Sequence, residues 1–308
     1  MFGTAHVVVR LDVERKPRVD AAGSPAKDAS RALLAGFSLE MTGKDIPGLD
    51  DAAPLLPPGT RVNVTFLGNE DLEMRLAAAR AVQAHGLVPV PHVSARRLAS
   101  RDQLEEFLAR LQEAGLSEHV FVVGGDPATP EGPYASSLDV IRTGVLGDYG
   151  VREVNIAGYP EGHPDIPEAE LWAALEHKTA ALAEQGLASV IITQFAFDPD
   201  AVLAWIAQVR QRGIRSLIRV GTPGPAGIKR LLAFASRFGI GANAMIVRKY
   251  GFSLTNLMGT AGPEKFVAEL GRRLAADPDA GEVALHFYTF GGLPATAEWV
   301  RSHGGEAS

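Results

Sequence analysis

Strand and helix signals alternate along this chain eight times, and that rhythm limits the folds open to it more than any other feature. Short β-rich runs stand at 36–41 (GFSLEM), 61–66 (RVNVTF), 87–93 (LVPVPHV) and 119–125 (HVFVVGG). Four more follow at 153–159 (EVNIAGY), 188–195 (ASVIITQF), 214–221 (IRSLIRVG) and 282–290 (EVALHFYTF). Between them lie stretches with helical period. In 70–86, Leu72, Leu76, Ala79 and Val82 share one face, and a glycine stops the run. The stretch 100–115 opens on Ser100, a helix cap, and also ends on glycine. The stretches 167–186, 198–213 and 262–278 repeat the scheme, with Asp198 as a cap and Pro199 at the first helical position of the second.

Strand–helix alternation predicts a parallel sheet. Eight units in 308 residues predict a closed (β/α)8 barrel, an α/β TIM barrel. A doubly wound sheet would carry a Gly-x-Gly-x-x-Gly turn after an early strand, and VVGGDP does not have that spacing. The expected organisation is an N-terminal extension over 1–35, a single barrel domain over 36–303 and a short tail over 304–308. The stretch 239–261 reads as an insert before the last helix and strand, adding a helix beside the barrel mouth.

Composition narrows the functional classes. Apolar residues make up 46 % of the chain, enough for a large core, and the net charge of −6 argues against a nucleic-acid partner. No apolar run reaches the length of a membrane span, and the first residues lack the pattern of a secretion signal. The absence of cysteine rules out disulfides, thiolate metal sites and cysteine nucleophiles. A cytoplasmic enzyme is expected.

In such a barrel, chemistry gathers at the carboxyl ends of the strands. The strands deliver Glu40, Thr65 with Phe66, His92, Gly124-Gly125-Asp126, Tyr159 with Glu161 and His163, Gln194 with Phe195, Gly221-Thr222, and Tyr288 with Phe290. Each has a plain structural reading. A strand-end carboxylate is more often a cap or a surface charge, and Gly-Gly-Asp-Pro is most often a turn. The histidines and acids come from different strands without ligand spacing, so no metal is expected. No elbow sequence surrounds a serine, so nucleophilic catalysis is disfavoured. The recurrence of polar, aromatic and Gly residues at one end of nearly every strand is the stronger signal.

These residues resemble the methylenetetrahydrofolate reductase family, flavin-dependent (β/α)8 enzymes. The likeness runs from about Phe37 to Thr289 and rests on SLEM, VNVTF, PHVS, GGDP with GPYASSLDVI, AGYPEGHP, ITQFAFD and HFYTF in order. The resemblance implies reduction of 5,10-methylenetetrahydrofolate to 5-methyltetrahydrofolate by NAD(P)H, with hydride relayed by FAD. It implies Glu40 as the general acid, and Asp126 as a catalytic residue near flavin and folate. Gln194 becomes a folate contact, alongside Glu40 and Asp126. The flavin site it implies comprises Thr65, His92, Gly125, Asp126, Tyr134, Ala135, Tyr159, His163 and Lys178. Phe195 is read as core packing. A homo-oligomer is expected.

The chain departs from the family pattern in three places. Gly124 stands where an arginine commonly precedes the Gly-Asp pair. Ala174 and His177 replace two polar residues of the helix that holds the flavin tail, leaving Lys178. TFGGLP lacks the basic residue that usually follows the last strand. A weak flavin site is therefore expected. The alternatives are direct hydride transfer without flavin, and a non-catalytic folate-binding subunit of a methyl-transfer system.

Overall fold

A computed structural model of the chain describes residues 25–66, 68, 70–227, 229–231, 233 and 260–304. The eight β-rich runs become eight strands: β1 Ser38–Met41, β2 Arg61–Val64, β3 Val88–Ser94, β4 His119–Val123, β5 Glu153–Gly158, β6 Ala188–Thr193, β7 Leu217–Pro223 and β8 Val283–Tyr288. They close into one parallel barrel, with β8 hydrogen-bonded between β7 and β1. The fold is the expected (β/α)8 barrel. Most strands are shorter than their β-rich runs, whose last residues form loops at the mouth, whereas β3 and β7 extend past theirs to Ser94 and Pro223.

The helices start and stop where local chemistry dictates. Helix α3 (Leu72–Ala84) is capped by Asp71, whose side chain accepts from Met74 N–H. Helix α4 (Arg101–Glu113) is capped by Ser100 through Gln103 N–H. Helix α7 (Pro199–Gln211) carries Pro199 in its first turn, with the Asp198 side chain accepting from Asp200 N–H. Gly86, at φ +72°, takes the left-handed conformation that ends α3 at low steric cost. Leu76, Leu104, Leu108 and Leu111 are fully buried under these helices, each worth about 1.5–3 kcal/mol of burial.

The helices at Pro25–Leu34, Ile46–Ala52, Ser137–Arg142 and Leu293–Gly304 lie outside the sequence-predicted scheme. Helix α1 (Pro25–Leu34) falls in the expected extension and packs on α8 (Glu264–Leu274), β8 and α9 (Leu293–Gly304). Helix α9 was hidden because it follows Gly291-Gly292 and opens on Leu293-Pro294 without a polar cap. We propose to keep 36–303 as the barrel unit, with α1 docked against its outside. The expected insert at 239–261 lies outside the described residues, apart from Thr260–Ala261, which pairs antiparallel with Ala226–Gly227. Among the described residues no helix is long and apolar enough to cross a membrane.

Strand alternation divides the apolar residues into two cores. The large one fills the space between sheet and helices. The small one lies inside the barrel, around Val90, Phe121, Val190 and Ile192. The rest of the interior is unusually polar for a fold whose barrel is normally filled by branched apolar side chains. At its lower end Arg61 pairs with Glu153, His119 Nδ1 lies 3.4 Å from Glu153, and Arg219 donates to Gly36 O. Asn63 and Asn155 are buried among them. This polar column leads up to the mouth.

Candidate active site at the barrel mouth

The closure of β8 onto β1 builds the first group of site residues. Pairing sets Ser38 opposite His286, and the twofold period places Glu40 and Tyr288 one step higher on the same inner face. Ser38 Oγ and His286 Nδ1 are hydrogen-bonded at 2.8 Å, and both residues are fully buried. The other ring nitrogen, Nε2, lies 3.5 Å from Glu40 Oε2. Thr289 Oγ1 donates to Glu40 O at 2.6 Å and ties the two strand ends together. The Glu40 side chain keeps 22 % exposure, so the carboxyl opens toward the mouth while its base is enclosed.

His92 flanks this group from β3. Burial holds its pKa down at about 4; the Glu40 charge raises it and His286 lowers it further. His92 is therefore neutral near pH 7, its ring edge-on to Phe121 at 4.7 Å and its Nε2 without a hydrogen-bond partner. The Tyr288 hydroxyl donates to Thr193 O at 3.1 Å. Desolvation pushes its pKa well above the usual value, with Glu40 and Tyr159 adding to the rise. The arrangement is a carboxyl set among buried rings, with a hydrogen-bonding edge within reach of a group above it.

A second group lines a cleft of about 1240 Å³ between the ends of β4 and β5 and helices α6 (Glu168–Glu184) and α7. Gly125, Asp126, Ala135, Tyr159, His163, Lys178 and Gln194 all face it. Gly125 takes φ +94°, and a Cβ there would run into Ser94 Oγ, so backbone alone can occupy the position. Asp126 Oδ1 accepts from Arg97 Nε and Nη2 at 2.9 and 2.6 Å, yet its side chain is 71 % exposed. Arg96 donates to Ala135 O at 2.8 Å and Pro127 O at 3.2 Å, joining two loops of the cleft wall. Tyr159 and His163 meet edge to face at 5.4 Å.

Lys178 lines this cleft from α6. It is buried, and Nζ donates to Ala157 O at 3.4 Å. Burial lowers its pKa to about 8. Gln194 follows β6, and its Oε1 accepts from Phe195 N–H at 3.0 Å. The carboxamide thus braces the turn that carries it and borders the cleft at once. Phe195 is core, packed on Phe197, Tyr288 and Phe290. The far wall is a stack of Trp172 on Trp205 at 5.8 Å, with the Arg212 guanidinium 3.9 Å from the Trp172 ring.

Two sequence candidates join neither group. Thr65 is buried, its hydroxyl donating to Met41 O at 3.0 Å. Tyr134 is buried in the outer core. Glu161 braces a loop, Oε1 accepting from Phe197 and Asp198 N–H. His177 is exposed on α6 and does not line the cleft, whereas Ala174 does. Sequence reasoning passed over Ser38, His286, Arg96, Arg97, Trp172 and Trp205. His286 shares strand parity with Tyr288, and Arg96-Arg97 directly follow β3; both were readable signals. Among the described residues no group of three or more His, Asp or Glu is placed to hold a metal ion.

Comparisons with known proteins agree with this architecture. The chain is 31 % identical over 153 residues to 5,10-methylenetetrahydrofolate reductase of Pectobacterium carotovorum subsp. carotovorum, covering 49 % of this chain and 48 % of that protein. It is 30 % identical over 149 residues to Methylenetetrahydrofolate reductase (NADH) 1 of Arabidopsis thaliana, covering 44 % of this chain and 24 % of that protein. The chain therefore spans about a quarter to a half of the length of these curated relatives. A solved structure of a Clostridium thermocellum protein, described as uncharacterized and as binding two copies of 5-methyl-5,6,7,8-tetrahydrofolic acid, superposes with a TM-score of 0.60. That match covers 87 % of this chain and 93 % of the other at 11 % identity, a likeness of fold alone. The profile described as Methylenetetrahydrofolate reductase matches residues 55–233. It covers more than half of the sequence, and the chain belongs to the methylenetetrahydrofolate reductase family.

Proposed function

We propose that the chain reduces 5,10-methylenetetrahydrofolate to 5-methyltetrahydrofolate with NAD(P)H. One hydride and one proton are consumed per turnover, and NAD(P)+ is released. The observation that carries this reading is the partly exposed carboxyl of Glu40 at the mouth, 3.5 Å from the anchored His286. Opening the folate's five-membered ring requires a proton at the leaving nitrogen, and in this reading Glu40 gives it. Solvent then restores the Glu40 proton. Gln194 and Asp126 border the adjoining cleft, where a carboxamide and a carboxylate suit the mixed donor–acceptor edge of a pterin.

The cleft residues fit a flavin, with an uneven charge supply. Gly125, Ala135, Tyr159 and His163 offer a close backbone and ring edges, and Lys178 is a buried cation for phosphate. Against it stand Asp165, Glu168 and Glu170 on the same wall, and Ala174 adds no polar group. A flavin bound there would supply a two-electron carrier between nicotinamide and folate. Lys178 would hold its phosphates, and the Gly125 turn would let the ring approach the backbone. The other cation of the lining, Arg96, is already bonded to Ala135 O and Pro127 O, and this supply supports weak retention.

The test is turnover of purified chain with NADH or NADPH and methylenetetrahydrofolate, with and without added FAD. Formation of 5-methyltetrahydrofolate that rises with FAD supports the full reading. Formation that is indifferent to FAD, from protein that binds no flavin, replaces the relay with direct hydride transfer. Folate binding without turnover would leave a binding protein.

A further inference from the structure

The reading of Glu40 as an acid leaves open what aims its carboxyl, and the inner face of β1 and β8 supplies a candidate. Ser38 and His286 are paired across the ladder, fully buried, and hydrogen-bonded at 2.8 Å. A buried imidazole anchored through Nδ1 has one ring orientation, and that orientation presents Nε2 to Glu40 Oε2 at 3.5 Å. His92, the other buried histidine at the mouth, has no such anchor on Nε2. Tyr288 closes the far side of the His286 ring at 5.0 Å, edge to face, and removes its freedom to swing away.

We propose that His286, fixed by Ser38, is the positioning residue for Glu40. It touches neither folate nor nicotinamide in this scheme. It sets the direction of the carboxyl, and its Nε2 is the hydrogen-bond partner that the carboxyl keeps between turnovers. Separations of this length tighten when a substrate fills the space above. Ser38, His286 and Glu40 then form one chain of contacts running from the barrel interior to the reacting nitrogen. This inference rests on the function proposed above.

A mutant cycle tests it. Formation of 5-methyltetrahydrofolate is measured for the wild type, Glu40→Gln, His286→Asn and the double variant, alongside Ser38→Ala and His286→Gln. Misaiming an acid by about an ångström costs roughly 10- to 100-fold, so His286→Asn is expected to lose that much in kcat with KM for folate little changed. His286→Gln, whose amide reaches the Nε2 position, is expected to recover part of the loss, and Ser38→Ala to lose less than His286→Asn. The double variant is expected to be no slower than Glu40→Gln alone, because a residue acting through Glu40 has nothing left to position. Losses that multiply in the double variant, or a loss carried by KM alone, overturn the inference and leave the proposed function standing. If His286→Asn does not fold, the same cycle with Ser38→Ala decides it. A wild-type chain that makes no 5-methyltetrahydrofolate overturns both.

Discussion

The axial group at the barrel mouth and the lateral cleft beside it stand at the same end of the sheet, and they differ in almost every physical respect. The axial group is enclosed. His286 is fully buried, His92 is neutral, and one carboxyl faces outward among rings. The cleft is open and charged. Asp126 is 71 % exposed and tied to Arg97, and acids crowd the wall above Lys178. Partial enclosure makes the aim of the one outward carboxyl matter. Openness makes binding matter, because each contact there competes with solvent. In the proposed function this difference corresponds to proton delivery at the axis and ligand capture in the cleft.

The strongest way to break that division is Glu40→Gln. The amide keeps the shape but cannot give up a proton, and folate reduction is expected to fall roughly 10²–10⁴-fold. Folate binding and thermal stability should change little. A variant with near-normal turnover would move proton delivery away from the axis.

Lys178→Met probes the cleft. Losing a charge-assisted bond costs about 1.5–3 kcal/mol, so flavin affinity should drop roughly 10- to 100-fold in a titration followed by absorbance. The wild type carries its own pH signature. In the proposed flavin site Lys178 would hold phosphate only when protonated, and burial places its pKa at about 8. Flavin affinity should therefore be steady below that pH and decline above it, and the decline should be absent in the variant.

Gln194→Ala sits at the border of the two regions. Its lost hydrogen bonds are worth about 0.5–1.5 kcal/mol, and folate should weaken more than nicotinamide in the kinetic constants. Equal changes for both would reduce Gln194 to bracing its own turn.

A further effect lies in stability against pH. His92 has a pKa of about 4 in the fold, below the 6.5 of a free imidazole. Between those values the unfolded chain binds the proton more readily, so stability is fully present above that window and is lost as pH falls through it. His92→Phe should flatten this slope in urea titrations at pH 7, 6 and 5. An unchanged slope would place the acid sensitivity elsewhere, for example at the Arg61–Glu153 pair.

The contrast also explains what the sequence could and could not say. Every barrel strand was legible, because strand runs and capped helices are local signals. Asp126, Tyr159, His163 and Gln194 were legible as strand-end residues. The links between them were not. Ser38 and His286 are 248 positions apart and become neighbours only when β8 closes the barrel. Arg97 finds Asp126 across 29 positions. Lys178 is singled out by the family resemblance alone, and only the packing of α6 over β5 buries it. Local patterns encode elements, whereas register and closure encode partners.

Product analysis of the purified chain bears most directly on this account. Methylenetetrahydrofolate and NADH, with FAD added, are incubated with the wild type and with Glu40→Gln, and 5-methyltetrahydrofolate is quantified by mass spectrometry against NADH consumed. One product per NADH from the wild type, and a loss of roughly two to four orders of magnitude in the variant, is the expected result. Folate bound by both proteins, with no product and no NADH consumed by either, would contradict it.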